Sequence, residues 1–140
     1  MKAVDTNILV YAVDEDEPVK RQEARGFLRQ LGRTEEPLLM WQVAAELLAC
    51  LRRWEERRGF EARRTRRYFD LITSHMRPVL PRMTIADVSF DLRDRYSLSH
   101  WDSMLLAACM DAGVETLYSE DLDDGMTYDS VTVVNPFTTV

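Results

Sequence analysis

Short apolar runs alternate along this chain with longer stretches whose apolar residues recur at helical spacing, and this alternation constrains the fold more than any other feature. Residues 2–5 read as a strand that runs into a helical stretch at 8–12, and Pro18 opens a second helix ending near Gly32. Pro37 introduces the run 38–41, and the following helix, 42–58, sets Val43, Ala44, Leu47, Leu48 and Leu51 on one face. Gly59 interrupts it before a further helix at 61–74. Residues 77–81 form an edge-strand candidate, because Pro78 and Pro81 are tolerated at an edge and not in a central strand. Thr84 is placed to cap a helix reaching 96, Asp102 begins another that stops at Gly113, and strands remain at 115–119 and 131–134. Strands separated by helices in this way predict a mainly parallel sheet flanked by helices, a three-layer α/β domain.

The length of 140 residues predicts one domain, 1–140, that buries roughly 68–70% of the surface its unfolded chain exposes. No repeat, low-complexity segment or linker divides it. A hydrophobic fraction of 46% with 30% charged residues, and no apolar run near the ~18 residues of a membrane span, point to a soluble, cytoplasmic protein. An acid at position 5 interrupts the N-terminus too early for a secretory signal, so the mature protein is expected to begin here. Cys50 and Cys109 lie in apolar helical patterns without zinc-ligand spacing and are expected to be buried free thiols. The net charge of −6 argues against nucleic-acid binding through bulk charge, but the distribution is uneven. Eight arginines fall between Arg52 and Arg67, whereas residues 96–140 contain no Lys or Arg.

Four acids stand at or near the ends of these elements: Asp5, Glu46, Asp102 and Asp121. Each has a structural reading of its own. Asp5 would cap the turn made with Thr6 and Asn7. Glu46 sits on the shoulder of an apolar helix and would be solvated. Asp102, in a first helical turn, would stabilise unsatisfied N–H groups by ~0.5–2 kcal/mol. Asp121 lies in the acidic turn Ser119-Glu120-Asp121-Leu122-Asp123-Asp124-Gly125. Taken together they read differently, because the C-terminal ends of parallel strands share one edge, where ligands bind in open α/β sheets. Four acids delivered there repel one another unless neutralised, and Mg²⁺ or Mn²⁺, which prefer oxygen ligands, are natural neutralisers.

The motifs resemble those of the PIN-domain ribonucleases, and among them the VapC-type toxins of toxin–antitoxin pairs. Val4-Asp5-Thr6-Asn7, with Ile8-Leu9-Val10-Tyr11-Ala12 behind it, is similar to the family's opening motif. Gln42 to Leu47 resembles the helix that supplies a glutamate. Leu98-Ser99-His100-Trp101-Asp102-Ser103 resembles the segment with the third acid, Leu117 to Leu122 that with the fourth, and Asn135-Pro136-Phe137 a frequent ending. The resemblance implies a three-layer PIN-like domain in which Asp5, Glu46, Asp102 and Asp121 hold Mg²⁺, with Mn²⁺ able to substitute. Thr6, Asn7 and Ser119 would support these acids or contact substrate. Asp123 and Asp124, where relatives often carry less acid, have two readings, assistance to a second metal and, the favoured one, simple solvation.

The implied activity is metal-dependent endoribonuclease hydrolysis of RNA phosphodiester bonds, leaving 5′-phosphate and 3′-hydroxyl ends. The implied partners are a VapB-type antitoxin and a second copy in a homodimer. His100 has two readings, an acid–base or RNA contact and a packing or capping residue. The Arg52 to Arg67 cluster is either a path for RNA phosphate or a solvated helix face offset by Glu55, Glu56 and Glu61. Trp41, Trp54 and Tyr68 are candidates for a partner surface, although most of them are expected to be core. A different class of function is a catalytically silent protein-binding module that retains the acidic pocket. An aspartate-nucleophile phosphatase fits poorly, because Asp5-Thr6-Asn7 lacks a second acid two residues later.

Overall fold

A computed structural model describes residues 1–137. Within them the chain runs β1 (Lys2–Val4), α1 (Thr6–Tyr11), α2 (Pro18–Thr34), β2 (Leu38–Met40), α3 (Trp41–Arg58), α4 (Ala62–His75), β3 (Arg77–Val79), α5 (Ile85–Tyr96), α6 (His100–Asp111), β4 (Thr116–Tyr118), β5 (Thr127–Tyr128) and β6 (Val131–Val134). The sheet order is β3-β2-β1-β4-β6-β5. Every pairing is parallel except that of β5 with β6. Helices α1 to α4 pack on one another, and α5 packs with α6, so the sheet lies within a three-layer α/β architecture.

Local chemistry explains where the elements stop. Pro18 occupies the first turn of α2, where its missing N–H costs nothing. Gly59 ends α3 with φ of 66°, a left-handed conformation that a side chain would strain. Strand β2 is apolar and buried throughout, and the neighbouring strands keep their apolar residues inside: Ala3, Val4, Leu38, Leu39, Leu117, Val131 and Val133 are all inaccessible or nearly so, whereas Lys2, Thr116, Tyr118 and Thr132 are partly exposed. Arg77–Val79 is an edge strand, as its proline predicts.

Two expectations need correction. The cap of α6 is Ser99, whose hydroxyl accepts from the Asp102 N–H; helix α6 starts at His100, leaving the Asp102 carboxylate free of a capping duty. Thr84 precedes α5 but makes no side-chain capping bond. Most of the three aromatic surface candidates are core, as expected: Trp54 is buried against Phe60 and Tyr68 is half-buried with its hydroxyl donating to the Leu9 carbonyl at 2.5 Å, which leaves Trp41 exposed. Strand β5 is an element that its sequence, Thr127-Tyr128, is too short to announce.

The order of the sheet has one functional consequence. From β1 the chain leaves by α1 and α2 toward β2 on one side, and it returns by α5 and α6 to β4 on the other. The C-terminal ends of β1 and β4 therefore flank a topological switch point, where open α/β sheets form a crevice. Leu117 lies at the centre of this arrangement, fully buried and paired with Ala3 and Val133. Leu117→Ala is expected to cost about 2–5 kcal/mol in urea denaturation, whereas Leu80→Ala, at a site 74% exposed, should leave stability within about 0.5 kcal/mol.

Candidate functional site

Asp5 emerges directly from β1 at the switch point, held there by its N–H donating to the Tyr118 carbonyl at 2.8 Å. It is the N-cap of α1, and one carboxylate oxygen accepts from the Thr6 N–H at 2.7 Å. The other accepts from the Ser119 hydroxyl at 2.8 Å, just beyond β4. Asp5 is 7% exposed and Ser119 completely buried. A carboxylate so placed loses most of its hydration, and both hydrogen bonds are what make its burial tolerable.

Two small side chains extend this anchor to the other acids. The Thr6 hydroxyl donates to Glu46 Oε2 at 2.7 Å, so a single residue ties the end of β1 to α3. The Ser119 hydroxyl accepts from the Asp121 N–H at 3.1 Å, and Asn7 donates its amide to Asp121 Oδ2 at 2.7 Å. Gln42 donates to Glu46 Oε1 and to the Trp101 carbonyl, both at 3.1 Å, and so joins the start of α3 to the turn of α6 that carries Asp102. The Asp102 carboxylate accepts no hydrogen bond among the described residues.

The electrostatics follow from this crowding. Burial, with Asp121 and Glu46 adding their repulsion, pushes Asp5 up from its ordinary 3.8 to about 6, against the opposing pull of the Ser119 and Thr6 hydrogen bonds. Asp121 is also raised, by desolvation first and then by the charges of Asp102, Glu120 and Glu46. Among the described residues none of the four acids has a Lys or Arg ion-pair partner. Cys109 is buried, its thiol pushed up to about 12 by desolvation and then by Asp5; Cys50 is half-buried, and both are free thiols.

As they lie, no three His, Cys, Asp or Glu side chains among the described residues are grouped to hold a metal ion; Thr6, Asn7 and Ser119 take up oxygens of Asp5, Glu46 and Asp121 instead. The donor set nevertheless suits a hard cation. It consists of carboxylate oxygens carrying negative charge without cationic partners, one of them buried. Of the neighbouring acids, Asp124 is not merely solvated: its carboxylate accepts from the Asn135 N–H at 2.8 Å and ties the β4–β5 loop to the segment after β6. His100 is exposed, its ring edge-on to Trp101 at 4.5 Å. A groove of about 440 Å³ opens beside Glu46, lined by Trp41, Leu80, Trp101 and Met104 among others. A larger hollow of about 920 Å³ lies between α2 and α4 and includes none of the four acids.

Sequence reasoning does not single out Gln42, Tyr11, Lys20 or Glu120, although all four belong to or contact the acidic segments. The Tyr11 hydroxyl donates to Glu120 Oε1 at 2.9 Å and Lys20 pairs with the other oxygen. The four-residue spacing of Asn7 and Tyr11 on α1 is the one available signal, since it places both on one helical face.

The Asp5 shift has a definite sign. Between pH 3.8 and 6 the folded state holds a proton that the unfolded state has released, so stability falls as pH rises through this window, by about 3 kcal/mol in all. Asp5→Asn, which keeps the shape and cannot ionise, is therefore expected to be more stable than the parent at pH 7.5 in EDTA. The advantage should vanish near pH 4, as read by urea midpoints. A variant less stable at both pH values would show that weakening the two acceptor bonds outweighs removal of the buried charge.

A family model described as the PIN domain matches residues 2–125. Among solved structures, a toxin–antitoxin complex from Klebsiella pneumoniae superposes with a TM-score of 0.71 at 21% identity, covering 99% of this chain and 100% of that one. VapBC2 from Rickettsia felis, bound to a DNA fragment from its promoter, gives a TM-score of 0.71 at 14% identity over 94% of this chain and 96% of that one. No curated protein matches the sequence.

Proposed function

This chain belongs to the PIN-domain family, and on that premise we propose that it is a divalent-metal-dependent endoribonuclease and the toxin of a VapBC-type pair. The observation that carries the reading is the convergence of Asp5, Glu46 and Asp121 on Thr6, Asn7 and Ser119 at the switch point, with no cation to balance them among the described residues. Asp5, Glu46, Asp102 and Asp121 would hold Mg²⁺, and Mn²⁺ would substitute. When bound, such an ion supplies a water made acidic enough to attack phosphorus at neutral pH, together with charge to balance the leaving oxygen.

The remaining work belongs to the protein. Ser119 and Thr6 orient the Asp5 and Glu46 carboxylates, and Asn7 orients that of the more exposed Asp121. Their hydrogen bonds are made before substrate arrives, so little reorganisation remains for the reaction. The groove beside Glu46, with Trp41 56% and Trp101 62% exposed at its rim, gives unpaired bases a surface on which to lie. The products would carry 5′-phosphate and 3′-hydroxyl ends. Likeness to the two toxin–antitoxin complexes supports an antitoxin partner. We further propose that residues 1–140 act as a single domain, that the protein is a homodimer, and that it works in the cytoplasm; no helix among the described residues is long and apolar enough to cross a membrane.

Cleavage of total cellular RNA by the purified protein, with Mg²⁺, Mn²⁺ or EDTA, tests the reading directly. Asp102→Asn is the informative variant because the Asp102 carboxylate supports no hydrogen bond of the fold among the described residues. Discrete fragments that require metal and disappear in this variant are expected. No cleavage in either metal would instead favour a silent PIN module that binds protein.

The arginine cluster makes a separate prediction. Arg58 is paired with Asp14 and Asp16, Arg63 with Glu61, Arg64 with Glu15 and Arg66 with Asp70, which leaves Arg52, Arg53, Arg57 and Arg67 without ion pairs among the described residues. If these four carry the RNA backbone, changing them together to Gln should reduce the slope of log affinity against log salt by about 0.7 for each phosphate that is no longer neutralised. An unchanged slope would remove them from the interface.

A further inference from the structure

Helix α1 grips two consecutive acidic residues of the β4–β5 loop from one face. Asn7 holds Asp121, and Tyr11, four residues on, holds Glu120 through a hydrogen bond of 2.9 Å. The second oxygen of Glu120 is taken by the Lys20 ammonium, which reaches across from α2. Lys20 is itself caged: its Nζ lies 4.1 Å from the centre of the Phe137 ring and 5.2 Å from that of Tyr11, and the two rings meet edge-on at 5.6 Å. With Ser119, which joins Asp5 to the Asp121 N–H, three consecutive loop residues are tied to the end of β1, to α1 and to α2. The aromatic cage also gives a place in the structure to Phe137 of the Asn135-Pro136-Phe137 motif.

We propose that Lys20, Tyr11 and Phe137 are positioning residues that act through Glu120 to set where Asp121 stands, and thereby strengthen divalent-cation binding at the acidic edge. This rests on the reading that Asp121 helps hold the cation. Its force comes from the sign of the charge. An ammonium beside an acidic site opposes a second cation, so by Coulomb's law alone removing Lys20 and exposing Glu120 should tighten metal binding. If Lys20 instead acts by fixing the loop, removing it should weaken binding, because removing the support behind a ligand typically costs about 10–100-fold in affinity. The two effects have opposite directions.

The test measures Mn²⁺ uptake by the RNA-free full chain, from the electron paramagnetic resonance of free Mn²⁺, for the wild type, Lys20→Met, Lys20→Arg and Phe137→Leu. Hydrogen exchange of residues 119–126 is followed in parallel. The clamp predicts that Lys20→Met raises the Mn²⁺ Kd about tenfold and speeds exchange in 119–126 while leaving β1 and α6 protected. Lys20→Arg, which keeps the charge and reach, should recover most of both, and Phe137→Leu should fall between. Equal or tighter Mn²⁺ binding by Lys20→Met, or unchanged exchange in the loop, would overturn the proposal. A wild type that takes up no Mn²⁺ would overturn the metal reading and the affinity claim with it, whereas exchange alone would still show whether Lys20 holds the loop.

Discussion

The acidic edge depends on one hydrogen bond, from the buried Ser119 hydroxyl to the buried Asp5 carboxylate. It crosses from the end of β4 to the end of β1, the two strands between which the sheet changes direction. Without an acceptor at position 5 the buried hydroxyl would lose the acceptor of its proton, and without the hydroxyl the carboxylate would keep only the Thr6 N–H. Through Ser119 the bond also reaches the Asp121 backbone, and through Thr6 it reaches Glu46. Strand pairing thus fixes side chains more than a hundred residues apart in sequence.

This is a costly arrangement for a folded protein. Like charges are gathered at a site where burial already disfavours ionisation, and the surrounding structure holds them there with neutral donors in place of cations. Neutral donors orient a carboxylate but leave its charge available. An arginine in the same place would satisfy the charge and remove any use for it.

Most of the architecture is legible in the sequence because its signals are local. The apolar runs at β1, β2 and β4, the proline before α2 and the glycine after α3 each act within a few residues, and the observed boundaries of these elements fall within a residue or two of the expected ones. The acids are legible for the same reason: Asp5 and Asp121 follow buried strands, and the sheet is parallel there. Bonds between distant segments are not legible. Nothing in a single sequence pairs Lys20 with Glu120 or sets Gln42 against the Trp101 carbonyl. Trp54 is partly legible: it follows Leu47 and Leu51 on the apolar face of α3, but its cover by Phe60 comes only after Gly59 turns the chain. At the start of α6, Asp and Ser are both strong caps, and only the backbone geometry distinguishes Ser99 from Asp102.

The two margins of the sheet bear on how this molecule can assemble. On one side the outermost strand, β3, contains Pro78, which has no N–H to offer; on the other, β5 is two residues long and turns away at Asp129, whose φ is 53°. Neither margin presents the row of free donors and acceptors that templates addition of a foreign strand. A chain that gathers so much uncompensated charge at one end of its sheet is thereby protected from growing sideways into a fibre. The helices and loops are the surfaces these margins leave for docking, where side chains rather than backbone decide what fits.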